Sequence, residues 1–219
     1  MSRQPPVQQP PPVCKLLVKY GRIGRARFAS HRDFARIFER ALRRAEIDMA
    51  YSSGFHPHPR LSYINPAFTG SQSRAEFLVI GLRTTREPEL VLAELGAAMP
   101  EGFPILEVIL VEKMPVFTAS WWEVDLEGAT PTILESAYRE LTSGTEPLLV
   151  TRETKSGPRQ FDVRPALRSV EVTSTGLRLL LTHEPPLVRP DDVVTALGLT
   201  LPARFLRVAQ LDPDTPIDK

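Results

Sequence analysis

A chain of 219 residues is long enough for one large or two small domains, and its 42% hydrophobic and 24% charged residues are an ordinary globular balance. A formal net charge of +1 excludes a polycation, and a single cysteine excludes a disulfide framework and any centre needing three or four thiolates. No stretch approaches the roughly 20 apolar residues of a membrane span, and the N-terminal residues lack the apolar core of a signal peptide, so a cytoplasmic protein without membrane contact is expected.

The charge is unevenly spread. Residues 15–60 hold eleven Lys/Arg against four Asp/Glu, a local +7, which leaves −6 for the rest. Local asymmetry of this kind points to a polyanionic partner for the N-terminal half.

Residues 1–12 are rich in Pro and Gln and predict a disordered tail, as do residues 212–219 at the other end. Residues 14–22 (CKLLVKYGR) read as a strand, joined to RARFAS by a hairpin or bulge at Gly21 and Gly24. Cys14 lies in this apolar run and reads as a buried small residue. Over residues 31–46, Phe34, Ile37, Phe38, Ala41, Leu42 and Ala45 recur at helical spacing. Ser30 is the expected N-cap, with Asp33 as its capping-box partner. Arg32, Arg36 and Arg43 then fall opposite the apolar stripe.

IDMAYSS reads as a strand and GFHPHPRLSYINPAFTG as a long ordered loop or broken strand. A strand at 75–84, a Pro-initiated helix at 88–100 and a strand at 103–114 complete a β-α-β-β-α-β order. The second half repeats it: a strand over SWWEVDLE, a helix from Pro131 stopped by Gly144, and extended segments around a turn at 156–158. A hairpin at 168–183, a short helix at 190–200 and a closing strand at 203–212 follow. The expected fold is α+β, with two tandem ferredoxin-like halves at 13–115 and 116–211.

Chemistry concentrates near the first helix. His31 sits in its first turn, where it can act as general base or as donor to a phosphate, or simply help close the helix. In Ser52–Arg60, Pro57 and Pro59 fix their own φ and push His56 and His58 to extended conformations. The imidazoles are thus presented on a stiff backbone. Phe55 has the usual burial preference of Phe and is expected in the core; if exposed, it can stack on a base. Arg60 can pair with a phosphate. His56, His58 and His31 are the catalytic candidates. They also allow a metal reading, set aside because no carboxylate is placed as a further ligand, so no metal and no cofactor is expected. Lys19, Arg22, Arg25 and Arg27 extend the basic face of Arg32, Arg36 and Arg43, and phosphate contacts from such residues set affinity without reading sequence. Arg152, Lys155, Arg159 and Arg164 form a smaller basic cluster, and adjacent Trp121 and Trp122 face opposite sides of a strand.

These residues carry a resemblance. RFASHRDFARIFERALRRAEIDMAYSSGFHPHPRLSY resembles the signature of the radical-SAM-associated domain of unknown function: Phe28, Ser30 and His31, then Glu39 to Ala45, then Tyr51, Ser52, Gly54, Phe55, Pro57 and Pro59. EGFPILEV, KSGPRQFDVRPAL and LPARFLRVAQL also fit, so the resemblance spans about residues 15–211. The family implies company rather than chemistry: radical SAM proteins, a ribonuclease and ribosomal proteins are encoded nearby. With one cysteine this chain resembles the stand-alone members, and any radical SAM activity would come from a partner protein. The architecture is also similar to that of CRISPR repeat-processing endoribonucleases. An RNA-binding accessory protein for tRNA, rRNA or ribosome-linked RNA is therefore expected. A metal-independent RNA endonuclease using the histidines and a protein-interaction scaffold are the alternatives.

Overall fold

The structure, a computed structural model, describes residues 8–154 and 157–214. It is a mixed α+β protein with four α-helices and mostly antiparallel strands among the described residues. The chain divides into two compact units, Met1–Pro115 and Val116–Lys219. The expected tails at 1–12 and 212–219 lie partly outside the described residues, as do Lys155 and Ser156.

Unit 1 contains strand β1 (Cys14–Arg22), a 3-10 turn (Gly24–Phe28), helix α1 (His31–Arg44), strands β2 (Leu61–Ile64) and β3 (Gln72–Leu82), helix α2 (Pro88–Ala98) and strand β4 (Ile105–Leu110). Its strands lie in the order β4-β1-β3-β2, each pair antiparallel. Strand alternation sends Cys14, Leu16, Val18 and Tyr20 to one face of the sheet. There they meet Phe34, Phe38, Ala41 and Leu42 of α1 and Val91 and Leu95 of α2 in one cluster. Each large side chain buried this way contributes about 1.5–3 kcal/mol. Phe34 is its hub, stacked on Tyr20 at 4.4 Å between ring centres and tilted against Phe103 at 5.2 Å.

Two expected strands are absent. RARFAS forms the 3-10 turn instead, because Gly24 at φ +59° reverses the chain and Ala29 N–H closes on the Ala26 carbonyl. Upstream of the turn, Gly21 and Ile23 donate to the carbonyls of Pro104 and Gly102, so β1 is prolonged by the segment leading into β4. The bulge expected near Gly21 is present as a register shift between Tyr20 and Arg22. IDMAYSS makes only isolated bridges, Met49 with Leu82 and Tyr51 with Pro59. Pro59 has no N–H to continue a ladder there.

Unit 2 contains strand β5 (Ala119–Leu126), helix α3 (Pro131–Ser143), strands β6 (Leu149–Thr154), β7 (Gly157–Asp162), β8 (Leu167–Val172) and β9 (Gly176–Thr182), helix α4 (Pro190–Ala196) and strand β10 (Ala203–Leu211). Its main strands run β10-β5-β9-β8 in antiparallel pairs, and β6 and β7 form a separate hairpin. Trp122, Val124 and Leu126 are buried with Leu177, Leu179 and Leu181. Trp121 faces the other way under the Arg178 guanidinium, 4.5 Å from its ring centre.

Arg164 shows how this unit closes its helix. Its guanidinium donates to the carbonyls of Glu140 and Leu141 in the last turn of α3, where backbone acceptors outnumber helical donors, and to the Glu146 carbonyl beyond the helix. Asp162 in turn accepts from the amides of Leu148 and Arg164, each at 3.0 Å.

Candidate functional site

The first turn of α1 is closed by a full capping box. Ser30 Oγ accepts from the Asp33 amide at 3.2 Å, and the Asp33 carboxylate accepts from the Ser30 amide at 3.3 Å. The Ser30 hydroxyl and amide hold the Asp33 carboxyl below its ordinary acidity range, with Arg36 and Arg32 adding to the effect. Asp33 is therefore ionised but already committed at the helix start. It does not form an ion pair with the arginines that follow it.

Arg32, Arg36, Arg40 and Arg43 are all exposed on the solvent side of α1. They stand at i, i+4, i+8 and i+11. At about 1.5 Å rise per residue they form a stripe about 16 Å long. Arg36, Arg40 and Arg43 line a shallow groove of about 400 Å³ with Asp33, Ile37 and Glu39. Arg43 Nε donates to the Glu39 carbonyl, which leaves the rest of its guanidinium outward. Arg40 escaped the sequence-based set, although its i+4 spacing from Arg36 was the available signal.

Ion pairing separates this region from the rest of the chain. Arg83, Arg86, Arg139, Arg152, Arg164, Arg168, Arg178 and Arg204 each face a carboxylate. Among the described residues, no Lys or Arg of 15–60 other than Arg22 has an ion-pair partner. Lys19 lies 5.9 Å over the Phe77 ring, and Arg27 lies 4.5 Å over the ring of Phe28, itself exposed. Arg25 is exposed on the 3-10 turn.

Arg22 is removed from the expected basic surface. It is 5% exposed, and its guanidinium donates to the carbonyls of Ala67, Phe68 and Ser71. Its place at the end of β1, facing the loop that enters β3, makes it a structural cation. In unit 2 the smaller cluster is also taken apart. Arg152 binds Asp192, Arg164 caps α3, and Lys155 lies outside the described residues.

The loop after α1 is closed by Ser52. Its amide donates to the His58 carbonyl at 2.8 Å, and its hydroxyl accepts from the His58 amide at 3.0 Å. Gly54 at φ +131° makes the turn between them. Arg60 is half-buried and anchors the base of the loop. Its amide donates to Ala50, its Nε to the Tyr51 carbonyl at 3.0 Å, and its carbonyl accepts from Gly81. His56 and His58 are exposed on the closed tip. Phe55 is 60% exposed, which corrects the expectation of a core plug: a seven-residue tip pinned at its neck holds Phe55 away from the sheet.

His31 packs edge-on against Tyr63 of β2, with ring centres 4.5 Å apart at 82°. The Tyr63 hydroxyl is buried without a hydrogen-bond partner among the described residues. Burial, and then the Glu39 carboxylate, push this phenol well above its ordinary value, so it stays a neutral donor. No hydrogen bond links His31 to His56 or His58 among the described residues. Among the described residues, no three His, Cys, Asp or Glu side chains gather in a way that could hold a metal.

A second histidine pairing was invisible in sequence, 63 residues apart. His183 Nδ1 lies 2.9 Å from the Phe117 carbonyl and Nε2 2.7 Å from Ser120 Oγ. A carbonyl only accepts, so Nδ1 carries the proton and Nε2 accepts from the hydroxyl. Ser120 is 1% exposed, so this pair ties the start of β5 to the end of β9 rather than meeting a substrate.

A family model described as an uncharacterized protein conserved in bacteria matches residues 15–190. No curated protein matches the chain.

Proposed function

The chain belongs to that family, DUF2344, and from this premise we propose that it is an RNA-binding accessory protein acting with a partner enzyme in tRNA, rRNA or ribosome-linked RNA metabolism. The observation that carries the reading is the set of exposed arginines on α1 without carboxylate partners, in a chain whose other arginines are largely paired. Guanidinium groups left in water at helical spacing suit phosphate oxygens, which they bind in bidentate fashion. The i to i+4 rise of about 6 Å lets successive arginines meet successive phosphates of one strand. The clamped loop that follows α1 in the chain supports the reading. It exposes an aromatic ring and two imidazoles on a tip with little entropy left to lose.

Each unit has a β-α-β-β-α-β core and an outer-to-outer strand order in which its last strand flanks its first, which supports ferredoxin-like topology for both. In unit 2 the β6-β7 hairpin is inserted after α3. The resemblance to radical-SAM-associated proteins supports a radical SAM protein as the partner, with both acting in the cytoplasm.

Fluorescence anisotropy with a labelled structured RNA at about 50 mM salt tests the function, since electrostatic binding is strong there. Binding is expected for the full chain and is expected to be lost when Arg32 and Arg36 are both changed to Glu. An RNA bound equally well by that variant, or no binding by either protein, would sink the proposal.

A further inference from the structure

Unit 1 holds a cavity of about 800 Å³ that is separate from the arginine groove. Its lining joins residues 23–26 to residues 99–104, two segments tied together where Gly21 and Ile23 donate to Pro104 and Gly102, each at 2.8 Å. The apolar part of its lining is Ile23, Ala26, Met99, Pro100, Phe103 and Pro104. Among the described residues, its charged lining residues are Arg25 and Glu101. Gly102, at φ +87°, brings its backbone so close to Ala26 that a β-carbon there would lie 2.8 Å from the alanine methyl. The walls are therefore held in place by backbone contacts. A cavity of this size, mostly apolar with few polar groups, is proportioned for a small ring-bearing ligand.

We propose that this cavity is a subsite for one splayed-out base of the bound RNA, selective for a base that carries an amino group. The inference rests on the RNA-binding reading above and names what that site recognises. A planar ring fits among the apolar side chains, as single-stranded bases do when they leave the stack. Glu101 is an acceptor only, so it pairs with the amino group of adenine, cytosine or guanine. It is repelled by the two carbonyl oxygens that flank the N–H of uracil. Arg25 has no carboxylate partner among the described residues and stands at the same cavity, where it suits the phosphate attached to that nucleotide. The 3-10 turn carrying Arg25 leads directly into Ser30 and α1, so the chain itself joins this phosphate contact to the arginine stripe.

Gly96 supplies the test. It lines the cavity from α2, and a β-carbon added there meets nothing within 4 Å, so a side chain can enter without moving the backbone. Replacing a helical glycine also favours the helix, so Gly96→Phe is expected to fold. The measurement is anisotropy with hexauridylate and with the same strand carrying one central adenosine, cytidine or guanosine.

The natural chain is expected to prefer an amino-bearing strand by about tenfold, the scale of one good side-chain-to-base contact. Gly96→Phe is expected to bring every strand to the hexauridylate level and to leave hexauridylate itself unchanged. Glu101→Gln, which needs no added volume, is expected to erase most of the same preference. Equal binding of all strands by the natural chain, or a preference that survives Gly96→Phe, overturns the subsite and leaves the arginine surface standing. Failure to bind any strand overturns both.

Discussion

Single residues carry sharp constraints in this molecule, and glycine shows it best. A β-carbon at Gly176 would lie 1.8 Å from the Val124 carbonyl oxygen, a backbone atom in the neighbouring strand β5. The two strands would have to part to admit it. Gly176→Ala is expected to destabilise the protein by about 3 kcal/mol or more, because overpacking here cannot be relieved by a rotamer change. The midpoint of urea unfolding checks this, and an unchanged midpoint would contradict it. His183 sets a different constraint. Burial, chiefly, and Arg207 hold its imidazole below the ordinary value of 6.5, against the opposing bond to the Phe117 carbonyl. As pH falls through that ordinary value, the unfolded chain takes up the proton before the folded one does. Stability is therefore full at neutral pH and falls with acid. Between about pH 7.5 and 5.5 the melting temperature is expected to fall more for the natural chain than for His183→Gln. A parallel fall in both would remove His183 as the cause.

Among the elements, α1 combines the clearest sequence signal with the proposed interface. If its four arginines each neutralise a phosphate, changing Arg32, Arg36, Arg40 and Arg43 together to Gln should reduce the slope of log affinity against log salt by about 3–4. A slope that does not change would place the contacts elsewhere. The helix was legible because apolar spacing, the N-cap and the capping-box partner all agreed over residues 30–46. The 3-10 turn was not, because Gly24 permits either a bulge or a reversal and only the bonds to Gly102 and Pro104 decide between them. Local sequence could not show Arg22 as a buried hub either, since its carbonyl partners lie 45–49 residues away. The tip of Ser52–His58 was legible in its stiffness but not in its clamp. The prolines announced an extended path, whereas the Ser52 hydroxyl was one polar side chain among several. Phe55 misled because burial preference is an average, and a short tip held at its neck has no core to offer.

At the scale of the molecule, the near-zero net charge conceals an opposition. Unit 1 carries sixteen Lys/Arg and eleven Asp/Glu, a net +5, while unit 2 carries eleven and fifteen, a net −4. Polyanion binding is therefore expected of one unit, with attraction at low salt that the overall pI of about 7.9 does not reveal. Six of the ion pairs named above belong to unit 2, which sharpens the contrast.

Arg22 has a consequence for the order in which unit 1 assembles. Its guanidinium is the common anchor for the carbonyls of Ala67, Phe68 and Ser71 in the turn that launches β3. Within that turn the Phe68 carbonyl also accepts from the Ser71 amide and hydroxyl, and Arg22 adds a tie to the Ala67 and Ser71 carbonyls from 45–49 positions earlier. Contacts of such sequence separation are costly to close and form after local ones. Helix α1, closed by its own capping box, can thus organise first, with the 67–71 turn locking into place only once the end of β1 is presented, making this cation a late latch on the folding route.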